Sequence, residues 1–340
     1  MIKKILLIVG GIIFVGAIAF VVWVATFPEL IKSTTAGGYP RCQSQYLTMR
    51  DGVKIAVEVW YPEDYDGSQK LPALMEATRY SRGYLFSQKL DFKSKMMIRL
   101  GQIPDWNVDY VQLDFESRWA NEAGYVLVLV DARGSGGSYG HRIMEWSPDE
   151  IADYGEIVAW ITEQDWSNGK VGAWGTSYPG NTAELIASTG QPAFVATAPR
   201  FDDFDPLMGV GMPGGLTADG FLAEWSHMNA LIDSSFKVSR GVDEDKDGSM
   251  LEEALAEHQN NQNIYEAMSQ IEFRDDEYGK SGLTYETVSP YGLKNEIEAS
   301  NVPMQIWVSW LDAGTTEGAL SRYLTFSNPQ QVIIGAWSHG

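Results

Sequence analysis

The stretch Lys170-Val-Gly-Ala-Trp-Gly-Thr-Ser177-Tyr-Pro-Gly180 decides how this chain folds. Val171 to Trp174 reads as a β-strand, and Asn181 to Ser188 reads as the helix after it. A serine stands between the two, with Gly175 and Gly180 on either side. A sharp strand-to-helix turn lifts a hydroxyl clear of the backbone, and flanking glycines relieve the crowding that such a turn creates. The spacing is G-x-S-x-x-G rather than G-x-S-x-G. A serine in this place also has an ordinary alternative use, as the cap of the following helix.

Outward from that turn, strands and helices alternate. Tyr125-Val-Leu-Val-Leu-Val130 is an uninterrupted apolar run, which suits a central parallel strand buried on both faces. Ser147-Pro148-Asp149-Glu150 opens a helix, with Ser147 capping, Pro148 in the first turn and Glu150 completing a capping box. Its apolar face is Ile151, Tyr154, Ile157, Val158 and Ile161, and Asn168-Gly169 stops it. Phe194 to Ala198 is another strand. Toward the N-terminus, Met49-Arg-Asp-Gly52 signals a hairpin, Val53 to Trp60 alternates as a strand and Leu71 to Ala77 is the next. Residues 82–118 show no clear period and are expected to drape over the sheet. Residues 201–295 carry no good strand and read as a helical cap, after which Met304–Trp310 and Val332–Trp337 resume the sheet. This alternation implies a mostly parallel, right-handed wound sheet.

The bulk numbers narrow the function classes. With 44% hydrophobic residues the chain can bury a sizeable core. Its 45 acidic against 25 basic residues give a formal charge of -20, a surface that repels phosphate backbones, so no nucleic-acid partner is expected. The lone Cys42 excludes an intrachain disulfide. Lys3 and Lys4 precede an unbroken apolar stretch from Ile5 to Phe27, long enough for a transmembrane helix and longer than the apolar region of an ordinary signal peptide. The two lysines should stay in the cytoplasm, which places the rest outside, anchored to the membrane or secreted if the segment is cleaved. Residues 1–28 therefore read as a signal anchor and 29–45 as a tether. Residues 46–200 form the first part of the core, 201–300 the cap insertion and 301–340 the last strands.

Two further residues stand where strands end. Asp312 closes the run Met304-Gln-Ile-Trp-Val-Ser-Trp-Leu, and His339 follows Val332–Trp337. Asp312 has its own alternative use as a helix cap for Thr315 onward. His141, His227 and His258 are the other histidines, and none of them ends a strand after the aspartate. Ser177, Asp312, His339 is the chain order of an α/β-hydrolase triad, so the expected fold class is an α/β-hydrolase fold with a helical cap insertion and an N-terminal transmembrane helix. The residue after such a serine supplies a backbone N–H to the oxyanion hole, here Tyr178.

The segments Met49-Arg-Asp-Gly-Val-Lys-Ile-Ala56, Asp131-Ala-Arg-Gly-Ser-Gly-Gly-Ser138, Trp166-Ser-Asn-Gly-Lys-Val-Gly172, Gly175-Thr-Ser-Tyr-Pro-Gly180 and Trp337-Ser-His339 stand in a characteristic order. Together they resemble the family of cocaine-esterase-like and X-prolyl dipeptidyl-peptidase-like serine hydrolases (the CocE/NonD hydrolases), over residues 47–340. The family shares the G-x-S-Y-x-G spacing. The resemblance implies Ser177 as nucleophile, Asp312 as orienting acid, His339 as general base and the Tyr80 hydroxyl as the second oxyanion donor. It implies no cofactor, and a small ester, amide or short peptide as substrate. It also implies a β-sandwich domain after the histidine, so the chain reads as a fragment lacking that domain. An esterase or acylase is favoured over an X-prolyl dipeptidyl-peptidase or α-amino-acid ester hydrolase. Enzymes that grip a substrate amine carry acids just after the catalytic aspartate, whereas Asp312-Ala-Gly-Thr-Thr-Glu317 has none in the next four positions. Asp202, Asp203 and Asp205 remain available for that task, and a noncatalytic binding protein on the same fold remains the other class.

Three smaller features complete the reading. Asp243, Asp245 and Asp247 resemble the first half of a calcium loop, but the twelfth position is Ala254 rather than Glu, so a solvated acidic turn is the expectation. Arg133 in the glycine-rich loop reads as structural. Trp174, Trp225 and Trp310 are candidates for an aromatic acyl pocket, with core packing as the default.

Overall fold

The computed structural model describes residues 34–82, 96, 114–235 and 238–339. Its strands are β1 (Cys42–Thr48), β2 (Lys54–Trp60), β3 (Leu71–Thr78), β4 (Val126–Asp131), β5 (Ser167–Thr176), β6 (Phe194–Arg200), β7 (Met304–Ser309) and β8 (Gln330–Gly335). They form one sheet in the order β1-β2-β4-β3-β5-β6-β7-β8. β1 and β2 are an antiparallel hairpin and β2 meets β4 antiparallel. Every later pairing is parallel. The hairpin turns at the expected Asp-Gly, where Gly52 takes a φ of 89° and Met49 N–H donates to the Val53 carbonyl. This is an α/β-hydrolase-like fold, with the mostly parallel mixed sheet that the strand–helix alternation implies.

β4 is buried along its whole length. Val126, Val128 and Val130 pack on one face with Ile157, Val158 and Ile161, while Leu127 and Leu129 pack on the other with Trp60. Successive side chains of a strand point to opposite faces, so a strand covered on both sides has no polar position to spare. The helix α2 (Pro148–Thr162), which follows α1 (Phe115–Glu122), uses Ser147 as its cap; the Glu150 N–H donates to Ser147 Oγ at 3.3 Å. The reciprocal bond of the expected capping box runs one residue further back, from the Trp146 N–H to Glu150 Oε2 at 3.1 Å. The helix stops at Thr162, before the Asn168-Gly169 pair, because Ser167 already pairs with Leu71 in the sheet.

Between β6 and β7 the described residues hold no strand. They form α4 (Asp219–Asp233), α5 (Ser249–Glu257), α6 (Ile264–Met268) and α7 (Lys294–Ser300), after the short α3 (Tyr178–Leu185) of the core. Leu207, Leu222, Ile264, Met268, Tyr278 and Val288 form a second apolar cluster, which packs on Trp146, Tyr178 and Leu185 of the core. α8 (Thr315–Thr325) lies between β7 and β8.

The expected transmembrane helix at residues 1–28 lies outside the described residues, as does most of 82–118. Among the described residues no helix is long and apolar enough to cross a membrane. The expected tether is corrected over its described part. Thr35 and Arg41 are buried, Ala36 and Gly37 donate backbone bonds to the Glu63 and Tyr65 carbonyls, and β1 begins at Cys42. Pairing of Cys42 with Trp60 extends the strand beyond the Tyr46 start that local composition suggests.

Two buried polar clusters hold the helices against the sheet. Arg322 of α8 is fully buried and donates Nε and Nη2 to Glu184 of α3 at 2.7 Å each, and Nη2 to Asp202 at 2.6 Å. Glu150 is also buried; its Oε1 accepts the hydroxyls of Tyr154 and Tyr178, each at 2.6 Å. Removing one partner of a buried ion cluster leaves charge without compensation. Arg322→Leu is therefore expected to cost about 3–5 kcal/mol in urea unfolding. Adding Glu184→Gln and Asp202→Asn should recover most of that loss, and an Arg322→Leu protein of unchanged stability contradicts the assignment. Burial pushes the Glu150 carboxyl up from 4.5 to about 7. Across that window the folded chain holds a proton there that the unfolded chain has released, so this group's contribution to stability falls as pH rises. Glu150→Gln removes the dependence. Its stability relative to the parent should rise between pH 4.5 and 7, whereas a difference that is flat with pH contradicts the burial effect.

Candidate active site

Ser177 lies at the C-terminal end of β5, one residue before α3, with φ 67° and ψ -127°. A non-glycine residue in that region is strained. The turn is drawn tight against β6: Ser177 N–H donates to the Arg200 carbonyl at 2.9 Å, and a Cβ on Gly180 would lie 2.7 Å from the same oxygen. A Cβ on Gly175 would overlap Pro179. Both glycines are thus required by close backbone approach, which is why the motif has them at these two positions. The serine makes no side-chain cap bond to α3, so the alternative of a helix-capping serine is not what the structure contains.

Backbone strain concentrates around this point. Among the described residues the non-glycine positive-φ positions are Ser81, Trp146, Ser177, Phe201, Asn301 and Ala313. All but Asn301 adjoin or touch a candidate site residue: Ser81 follows Tyr80, Ala313 follows Asp312, Trp146 stacks on Tyr178 and Phe201 faces His339. Strain of this kind persists only where the surroundings over-determine it, and it collects at functional sites.

Asp312 follows β7 and His339 follows β8. His339 Nδ1 lies 2.8 Å from Asp312 Oδ2, so the structure joins the sequence-predicted acid and base. Asp312 is not the cap of α8; that position is Gly314, and the Asp312 carboxylate takes the Thr315 hydroxyl at 3.3 Å besides the imidazole. The imidazole is half exposed, and Phe201 stands edge-on to it with ring centres 5.7 Å apart. With Nδ1 occupied by the carboxylate, Nε2 is left to face a substrate. The hydrogen bond recorded for the imidazole is the one to Asp312, and none joins it directly to Ser177. Such contacts are often long before substrate binds.

Tyr80 follows β3. Its hydroxyl accepts the Trp225 Nε1–H at 3.0 Å and lies within hydrogen-bonding reach of Ser177. Burial pushes this hydroxyl up; the charge of Arg79 and the hydrogen bonds with Trp225 and Ser177 pull it the other way. Tyr178 begins α3, where the first N–H groups of a helix have no partner within it and carry the positive end of its dipole. Its ring stacks on Trp146 at 4.5 Å and its hydroxyl is anchored on Glu150. The elements therefore gather a strained serine, an Asp–His pair, a buried phenol and a helix N-terminus at the C-terminal ends of β3, β5, β7 and β8. That set can activate a hydroxyl and stabilise an oxyanion.

Other expectations resolve differently. Of the three tryptophans, Trp225 bonds directly to a candidate site residue, Tyr80. Trp174 packs on the far face of the sheet and donates to Glu76 at 3.2 Å, and Trp310 is 63% exposed. Arg133 is structural, paired with Asp153 and Asp51. Asp243, Asp245 and Asp247 spend their carboxylates on the backbone N–H groups of Ser44, of Met250 and Leu251, and of Ser249. Among the described residues no group of three or more His, Cys, Asp or Glu is placed to hold a metal. Glu150 and Phe201 were not foreseen from sequence, because nothing in their local spacing points to Tyr178 or His339.

Comparison with known proteins agrees with the motifs. The family model described as X-Pro dipeptidyl-peptidase (S15 family) matches residues 51–340. A protein called "Putative serine esterase" from Mycobacterium bovis is 33% identical over 332 residues, covering 88% of this chain and 51% of that protein. Cocaine esterase from a Rhodococcus species is 30% identical over 208 residues, covering 60% of this chain and 30% of that one. The chain thus spans about half the length of the first of these relatives, and less of the second. A CocE/NonD family hydrolase from Staphylococcus aureus shares the fold, with a TM-score of 0.60 and 22% identity over 86% of this chain and 45% of that one. The family match and the resemblance carried by the five motif segments coincide: the chain belongs to the X-Pro dipeptidyl-peptidase (S15) family.

Proposed function

We propose that this chain carries the catalytic unit of a serine hydrolase that cleaves carboxylic ester or amide bonds through an acyl-enzyme. The observation that carries the reading is the strained Ser177, free of any capping bond, within reach of the Tyr80 hydroxyl, at the C-terminal end of the parallel strands that also hold the Asp312–His339 pair. Ser177 Oγ bonds to the substrate carbonyl carbon as His339 Nε2 takes its proton, and the carbonyl electrons move onto oxygen. Tyr80 O–H and Tyr178 N–H donate to that oxyanion. Its collapse expels the alcohol or amine, which leaves with the proton from His339. Water, deprotonated by the same imidazole, then releases the acid and restores Ser177. Asp312 holds the imidazole tautomer and stabilises the imidazolium.

An ester or acyl-amide without a free amine is the favoured substrate class. Recognition of an ammonium group needs an ionised, unspent carboxylate. Asp202 is committed to Arg322, and Asp205 to Arg274 at 2.6 Å. Asp203 is pushed up to about 8 by burial and by Asp202, so near neutral pH it carries little charge. The relative called serine esterase agrees with an ester substrate, whereas the family model is named for an X-Pro dipeptidyl-peptidase, whose substrates carry a free amine. The apolar run Ile5–Phe27 behind Lys3 and Lys4 supports a site of action outside the cytoplasm, at the membrane or released from it.

A fluorophosphonate probe is expected to label Ser177 covalently, located by peptide mapping, and to leave folded Ser177→Ala unlabelled. Absence of labelling in the folded parent protein would turn the reading to a noncatalytic binding protein. Tyr80→Phe, which removes one oxyanion donor and little volume, should lower kcat on p-nitrophenyl esters by about 10²-fold with small change in KM. Full turnover in folded Tyr80→Phe removes that hydroxyl from the mechanism.

A further inference from the structure

We propose that Trp225, on the cap helix α4, is a positioning residue that aims and strengthens the Tyr80 hydroxyl, so that the cap completes the oxyanion hole. This rests on the reading of Tyr80 as an oxyanion donor. A phenol oxygen has one O–H to give and two lone pairs to receive. The Trp225 Nε1–H fills one of those lone pairs at 3.0 Å, and an indole N–H is a donor only. The Tyr80 proton therefore cannot turn toward Trp225. Ser177 is a polar group within its reach, and Ser177 Oγ is where the reacting carbonyl would bind. One hydrogen bond thus selects the direction of the next. It also polarises the phenol, because donation into an oxygen makes its own O–H a better donor, and more so away from water.

Two contacts hold the indole, and a third holds its backbone. The Arg79 guanidinium sits over its face, 5.5 Å from the ring centre, and a cation there draws on the ring electrons that the N–H shares. Phe221, one turn earlier on α4, stacks nearly parallel to it at 6.1 Å. The Trp225 carbonyl accepts from Asn229 Nδ2 at 2.8 Å, one turn later. Arg79 is the chain neighbour of Tyr80, and its Nη2 donates at 3.1 Å to Asp233, the last residue of α4. A closed circuit results: Tyr80, Arg79, Asp233, the length of α4, Trp225 and back to Tyr80. Glu145, salt-bridged to Arg79 and Arg142, and Asn261, donating to Asp233, brace the same circuit. Packing alone asks for an aromatic ring at position 225. The N–H, set on the phenol oxygen, is the part that packing leaves unexplained.

The test is steady-state hydrolysis of p-nitrophenyl esters by the full chain. Trp225→Phe keeps a ring and removes the N–H, and should lower kcat about 5-fold with KM little changed. In the Tyr80→Phe background the same substitution should cost nothing further, since no phenol remains to be aimed. Benzothienylalanine at position 225, which keeps the fused ring and replaces N–H by sulfur, should reproduce the effect of phenylalanine, and it serves if Trp225→Phe does not fold. Affinity for a trifluoromethyl ketone, whose hemiketal oxyanion occupies the hole, should fall by the same factor as kcat. Unchanged kcat in either folded variant overturns the inference, and so does an equal loss with and without the Tyr80 hydroxyl, which marks packing alone. If Tyr80→Phe itself keeps full turnover, the oxyanion reading of Tyr80 has failed. If Tyr80→Phe loses about 10²-fold while both Trp225 variants lose nothing, only the role of Trp225 has failed.

Discussion

A serine forced to a φ of 67° at the end of a buried parallel strand is the constraint on which the rest of the site depends. Such a conformation costs on the order of 1–3 kcal/mol, so the surroundings must supply at least that much to hold it. They do so from three sides. β5 pairs with both β3 and β6, the Ser177 N–H is tied to the Arg200 carbonyl, and α3 is tied through Glu184 to the buried Arg322 of α8. Two glycines allow the backbones to approach closely enough for this to close. The gain is a hydroxyl directed away from its own helix, toward a phenol and a sheet edge that carries the imidazole.

What was legible from the amino-acid order was whatever is local. The run from Val126 to Val130 announces a strand with no exposed face, and Gly175 and Gly180 announce a turn with no room for a Cβ. Ser177, Asp312 and His339 share one rim because each follows a strand of the parallel part of the sheet. The uses of Ser177 and Asp312 were ambiguous in sequence because serine and aspartate are also helix caps, and only the cap geometry separates the two uses. Contacts made by topology were out of reach. Tyr80 and Trp225 are 145 residues apart, and Tyr178 and Glu150 are 28 apart. No periodicity encodes either pair. Element ends were misjudged for the same reason: pairing with Trp60 starts β1 at Cys42, and the strained serine lets α3 begin at Tyr178, three residues before the expected Asn181.

The cap and the core are not independent layers in this arrangement. Tyr178 has its backbone at the elbow, its ring against the apolar cluster that includes cap residues and its hydroxyl on Glu150 of α2. Tyr80 is held from below by its own strand and from above by α4. One of the two groups suited to stabilise an oxyanion, the Tyr80 hydroxyl, is therefore set by a contact that exists only when cap and core are packed together. Charged partners inside that contact, Arg79, Arg142, Glu145 and Asp233, are mutually paired, so none of the four is buried without an opposite charge.

The most direct measurement is a crystal structure of the chain after reaction with an aryl phosphonate, whose tetrahedral adduct stands in for the acylation intermediate. The account predicts phosphorus bonded to Ser177 Oγ and its free oxygen about 3 Å from both the Tyr80 hydroxyl and the Tyr178 N–H, with His339 Nε2 turned to the leaving-group side. Phosphorus on another residue, or a phosphonyl oxygen turned away from both donors, would contradict it.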